Sequence, residues 1–163
     1  MRQIADAAGL STGNLYYYFR NKEELVYFCQ DRTLSELAEV VRRARAKHGS
    51  RAQLTALVEG HLRALLGDGA AGPAHLEIDA LPTELRRRLT QKRDRYERAV
   101  RALIAEGHCS GELRGGDPKL AAFALLGALN WAARWFHPGG DYSVDAVARE
   151  FCDQLLSGML VRR

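Results

Sequence analysis

The apolar residues of this chain recur at intervals of three and four, and no strict alternation of apolar and polar residues lasts more than a few positions. That is the helical period, so the chain has helix faces to bury and no sheet faces. Breakers divide the pattern at Gly9, at His48-Gly49-Ser50, from Gly67 to Pro73, from Gly107 to Gly116, and at His137-Pro138-Gly139-Gly140. The segments between them predict helices over 2–8, 12–19, 22 to about 47, 51–66, 74–81, 83–106, 118 to about 136 and 144–160. Ser11, Asn21, Ser50, Asp117 and Ser143 stand where an N-cap is wanted, and Pro118 follows Asp117 at the first helical position. The expected fold class is all-α: a helix-turn-helix head followed by an antiparallel helical bundle.

Composition excludes several classes. A length of 163 residues with 47% apolar residues suits one compact body with a small appendage, and is too short for a (β/α)8 barrel or a two-domain dehydrogenase. The longest apolar stretch, Leu120 to Phe136, is interrupted by Asn130 and Arg134 and falls short of the ~20 residues of a bilayer span. No signal-peptide pattern follows Met1, and Cys29, Cys109 and Cys152 form no Cys-x-x-Cys spacing, so a cytoplasmic protein with free thiols is expected. His48, His61, His75, His108 and His137 lie in separate segments without metal-ligand spacing. No paired carboxylates, phosphate loop or nucleophile elbow is present, so neither an enzyme nor a bound metal or cofactor is expected. The net charge of +4 permits a polyanionic partner.

The first two short helices carry the most specific pattern. Ile4, Ala5 and Ala8 give the first a narrow face, Gly9 frees the turn, and Leu10 and Leu15 plug the angle between the two. The second helix then displays Thr12, Asn14 and Tyr17 outward, with Tyr16, Tyr18 and Lys22 nearby. Four consecutive aromatics, Tyr16 to Phe19, point all around so short a helix, so some are exposed and call for a partner. Asn reads base edges bidentately, Thr contacts a thymine methyl, and tyrosine hydroxyls and lysine hold phosphates. Double-stranded DNA is the partner this set fits.

From Ile4 to Leu25 these residues resemble the TetR family of transcriptional regulators. The match runs through Ile4-Ala5, Ala8-Gly9-Leu10-Ser11, Gly13, Leu15-Tyr16, Tyr18-Phe19 and Lys22-Glu23, and ends at Leu25. The resemblance places Thr12, Gly13, Asn14, Tyr16, Tyr17, Tyr18 and Lys22 at DNA-contacting positions. It implies a head over residues 1–28 and a ligand-binding and dimerisation domain over 29–163. Family members carry a further helix before this motif, whereas Met1 here stands at the start of the family's second helix. A chain without that helix is expected to hold its head loosely and to bind DNA weakly.

In the body, the last two helices are the dimer candidates. Leu120, Phe123, Ala124 and Gly127 form a close-approach face on one. Val144, Val147, Ala148, Phe151, Leu155, Met159 and Leu160 form a wide stripe on the other. The stretch from Leu125 to Gly140 resembles a branch of the family that senses acyl-CoA thioesters, with multidrug-type regulators as the neighbouring alternative. An apolar site with a few polar groups suits such a ligand. His61 and Asn130 supply the polar groups, and Leu62, Leu65, Tyr96, Leu103, Trp131 and Trp135 are wall candidates. The basic run Arg86, Arg87, Arg88, Lys92, Arg93, Arg95 reads as a solvated helix face, with a CoA-phosphate site as the alternative. The functional expectation is a homodimeric repressor released from a palindromic operator by a hydrophobic or acyl-CoA-like effector. The alternative is a dimeric small-molecule-binding protein with impaired DNA binding.

Overall fold

The computed structural model describes residues 1–7, 9–67 and 81–160. Among these there are seven helices: α1 (Arg2–Ala7), α2 (Thr12–Tyr18), α3 (Lys22–Arg45), α4 (Ser50–Leu66), α5 (Thr83–Cys109), α6 (Pro118–Trp135) and α7 (Val144–Ser157). Of the helix expected over 74–81, residues 74–80, His75 among them, lie outside the described residues, as does Ala8.

Local chemistry starts most of these helices where the sequence places them. The Ser11 hydroxyl accepts from the Asn14 amide at 3.1 Å, and the Asn21 side chain accepts from the Glu24 amide at 2.8 Å. The Glu24 carboxylate reaches back to the Arg20 amide at 2.7 Å, one residue short of a reciprocal capping box. Asp117 accepts from the Lys119 amide at 2.7 Å, and Ser143 from the Ala146 amide at 3.1 Å. Gly9 has φ 65°, a left-handed turn between α1 and α2 that an L side chain resists.

Three local readings are corrected. Ser50 is not a cap: it is the first helical residue of α4, and its amide is satisfied by Glu112, 62 positions away, at 2.6 Å. α5 runs through Gly107 to Cys109, because Gly107 lies against Leu113 and Ser50 where no side chain fits. α7 stops at Ser157, and the residues after it pair instead with the 113–114 segment, where the Arg114 amide donates to the Met159 carbonyl at 2.8 Å.

The main core is formed by α3 to α7, with α4 in contact with α3, α5, α6 and α7. Leu54, Leu57, Val58, Leu62 and Leu65 of α4 are fully buried, as are Leu89, Val100, Leu103 and Ile104 of α5. Each such side chain contributes roughly 1.5–3 kcal/mol. The head has its own small cluster: Ala5, Leu15 and Leu25 are buried, with Met1, Ile4, Phe19 and Cys29 against them. Leu10 is exposed rather than wedged between the helices, and Phe28 is 51% exposed. Phe28 stands at the edge of the head, where its ring packs on Phe19 at 5.3 Å. α3 enters the head cluster through Leu25 and the main core from Leu34 onward, so residue 28 falls within one continuous helix that both share.

Candidate DNA interface and candidate ligand cleft

Burying Leu15 fixes the rotation of α2, and that rotation turns the tyrosines out. Tyr17 is 83% exposed, Tyr16 and Tyr18 are also exposed, and the Tyr17 and Tyr18 rings meet edge-on at 5.0 Å. Gly13 and Asn14 are exposed on the same short helix and Thr12 is half-buried. Lys22 and Arg20 are exposed beside it at the α2–α3 junction. All seven residues expected from the sequence at DNA are at least partly exposed, on α2 or at its junction with α3. Short polar groups, rigid aromatic rings and a cation are the donors and acceptors that base edges and phosphates require.

Inside the body a second constellation joins three helices. His61 of α4 is buried, with Nδ1 2.8 Å from the Tyr96 hydroxyl of α5 and Nε2 3.2 Å from the Asn130 carboxamide oxygen of α6. The Asn130 oxygen only accepts, so Nε2 carries a proton. In a neutral ring Nδ1 is then the acceptor for the Tyr96 hydroxyl. Burial pushes the Tyr96 phenol far above its ordinary value, so its hydroxyl stays a donor.

This trio borders a cleft of about 360 Å³ between α3, α4, α5 and α6. Leu34, Leu37 and Leu126 give it apolar wall, Phe123 and Gly127 stand on its α6 side, and Arg93, Asp94 and Glu97 line its α5 side. Arg93 also reaches Gln30 of α3 at 3.3 Å, and Glu97 pairs with Arg101 at 3.7 Å.

Of the residues expected at a ligand, His61, Tyr96 and Asn130 come together and line the cleft. Leu62, Leu65 and Leu103 do not: they are sealed in the core. Trp131 and Trp135 do not line this cleft: Trp131 is 65% exposed, and the Trp135 ring lies tilted against Phe151 of α7 at 6.3 Å. Among the dimer candidates, Leu120, Phe123, Ala124 and Gly127 are exposed along α6, and Val144, Phe151, Leu155, Met159 and Leu160 are half-buried. Val147 and Ala148 are not available to a partner, since they are buried in the core of the same chain. Arg93, from the basic run, also lines the cleft, as do Leu34, Leu37, Asp94, Glu97 and Leu126, which the sequence did not mark as ligand contacts. Their spacing marks them only as helix-face residues.

The basic run on α5 is largely tied down. Arg87 and Arg88 bond Glu84, whose carboxyl they hold down at about 2. Lys92 bonds Asp31 and Ser35 of α3. Among the described residues no group of His, Cys, Asp and Glu could hold a metal ion, and no helix is long and apolar enough to cross a membrane.

The head carries a short helix with exposed tyrosines, and α3 joins it to a body whose cleft is bordered by His61, Tyr96 and Asn130. Residues 1–27 match the family described as bacterial regulatory proteins, tetR family, and residues 47–159 match the tetracyclin repressor-like C-terminal domain. The chain belongs to the TetR family of transcriptional regulators. This regulator is 32% identical to the HTH-type transcriptional repressor KstR2 of Rhodococcus jostii, over 98% of this chain and 80% of that protein. It is 26% identical to the fatty acid metabolism regulator protein of Bacillus subtilis, over 96% of this chain and 83% of that one. The crystal structure of the TetR family transcriptional regulator PfmR from Thermus thermophilus superposes with a TM-score of 0.84 at 32% identity, covering 99% of this chain and 88% of that one.

Proposed function

We propose that this TetR-family regulator is a homodimeric repressor whose operator affinity falls when an apolar-chained, carbonyl-bearing effector of the acyl-CoA type occupies the His61 cleft. The observation that carries this reading is the placement of the cleft. Leu34 and Leu37 in its wall belong to α3, the helix whose other end enters the head cluster through Leu25. A ligand that shifts α3 moves the recognition surface, which gives two sites and one shared mobile element.

The chemistry of the cleft favours a carbonyl-bearing chain. Its apolar walls suit a hydrocarbon, while His61 and Asn130 offer a few oriented polar groups. The named relatives point the same way: one is a repressor and another a fatty acid metabolism regulator. The exposed row Leu120, Phe123, Ala124, Gly127 on α6, with Trp131 beyond it, supports pairing of two copies across a two-fold axis. Two recognition helices would then read half-sites about 34–36 Å apart.

Fluorescence anisotropy with labelled DNA from beside its own gene tests the proposal, at two salt concentrations and with octanoyl-CoA as effector. Tight binding that exceeds binding to scrambled DNA, weakens steeply with salt and is reversed by octanoyl-CoA is expected. Equal affinity for both DNAs would refute operator recognition. Selective binding that no acyl-CoA reverses would refute the effector class.

A further inference from the structure

Among the described residues, a second cleft flanks the contact between α3 and α5. The second, of about 350 Å³, lies along Ser35, Ala38 and Val41 of α3 and Lys92, Arg95 and Ala99 of α5. Leu34 and Tyr96 line both clefts and are therefore the wall between them. Each cleft alone is at the small end of ligand sites, which span about 300–1,000 Å³; joined, they would reach the middle of that range. The two sides differ in chemistry. His61 and Asn130 border the first, whereas the second is lined by the apolar side chains of Leu34, Ala38, Val41 and Ala99, with its charged residues on α5.

We propose that Leu34 and Tyr96 form an openable partition that makes this regulator a sensor of chain length. The carbonyl end of the effector sits at His61 and Asn130, and a long hydrocarbon chain crosses the partition into the second cleft. Short chains stay in the first cleft and leave the wall closed. This rests on the effector reading given above and adds how that effector is selected.

Opening the wall has a defined consequence. Tyr96 gives up its bond to His61 Nδ1, and the chain occupies the seam between α3 and α5. That seam is held, within a turn of the wall, by Lys92 to Asp31 at 2.5 Å, Lys92 to Ser35 at 3.2 Å and Arg93 to Gln30 at 3.3 Å. All three links end on α3, so spreading the seam tilts the helix that bears the head. Chain length is thereby converted into head position.

Calorimetric titration tests this with butyryl-, octanoyl- and hexadecanoyl-CoA and the corresponding free acids. The proteins are the wild type, Ala38→Trp and Tyr96→Phe. Ala38 is exposed and lines only the second cleft, so its replacement fills that cleft without entering the core. Ala38→Trp is expected to weaken hexadecanoyl binding by about tenfold or more, a readily resolved difference in affinity, and to leave butyryl binding unchanged. Tyr96→Phe keeps the ring and removes the bond to His61, and is expected to strengthen hexadecanoyl binding alone. Length-dependent loss with either head group supports the partition; loss seen only with thioesters also assigns the CoA as part of the ligand. Hexadecanoyl binding that Ala38→Trp leaves intact overturns the partition while the effector reading stands. Binding of no chain, acid or thioester, overturns both.

Discussion

Gly60 offers the most direct test of how closely α3 is held to the body. A Cβ built on it would lie 2.6 and 2.9 Å from the two γ-methyls of Val40 on α3 and 3.3 Å from its Cβ. Carbon atoms settle at ~3.5–4.0 Å, so Gly60→Ala demands about 1 Å of new space. Val40 is buried, and its β-branched side chain has one strongly preferred rotamer in a helix, so it cannot swing aside. The helices must part instead. Overpacking of this kind costs about 1–3 kcal/mol. Replacing a helical glycine by alanine returns about 0.8–1 kcal/mol through backbone propensity. The net expectation is a loss of about 1 kcal/mol, or a melting temperature ~2–4 °C lower for a chain of this size. Val40→Ala alone opens a cavity and costs about 1–3 kcal/mol. In Gly60→Ala/Val40→Ala the new methyl occupies that cavity, so the pair should be about 1–3 kcal/mol more stable than the singles sum to. Urea unfolding of the four proteins measures the cycle. Because the displaced helix carries the head, Gly60→Ala should also weaken operator binding at temperatures where it remains folded. A Gly60→Ala protein about 1 kcal/mol more stable than wild type, with an additive cycle, would show that α3 and α4 do not approach this closely.

Three further outcomes follow from the geometry. Asn14→Ala should cost about 1–3 kcal/mol of DNA affinity and relax selectivity at one base position, whereas Lys22→Ala should weaken binding to all sequences and reduce the salt slope by about one, as anisotropy over a salt series will show. His61→Leu should destabilise the chain by about 1–3 kcal/mol because it strands the buried Tyr96 hydroxyl; adding Tyr96→Phe should recover much of that loss in thermal melts, and a larger loss in the double variant would refute the hydrogen-bonded trio. Burial pushes the Cys152 thiol up to about 11 and raises that of Cys29, while Cys109 is exposed. Since the thiolate is the nucleophile, iodoacetamide at about pH 8 should modify Cys109 first, and Cys152 should react appreciably only as the pH approaches its raised value; mass spectrometry showing equal rates would contradict the packing of α7 on α4.

The sequence determined what is decided within one turn of helix. The caps at Ser11, Asn21, Asp117 and Ser143 bond amides two or three residues on, and the left-handed turn at Gly9 needs only glycine's freedom. The same holds for the exposed face of α2, because that helix is short and its rotation is set by one buried residue, Leu15. Local chemistry of this kind survives in any tertiary setting, so it can be read without one. The tertiary structure decided which side of each long helix meets which neighbour. α6 is apolar nearly all round, and only its packing on α4 and α5 turns Leu125 and Leu129 inward and Trp131 outward. The α7 stripe is wider than one contact, so Val147 and Ala148 go to the core of their own chain while Phe151 and Leu155 remain partly open. Ser50 lost its capping role to Glu112, and His61, Tyr96 and Asn130, 35 and 69 residues apart, became one site. These outcomes depend on helix crossing angles and on close approaches such as Gly60 against Val40. Such approaches arise from side-chain shape across the whole bundle, and the spacing of residues along one helix carries no record of them.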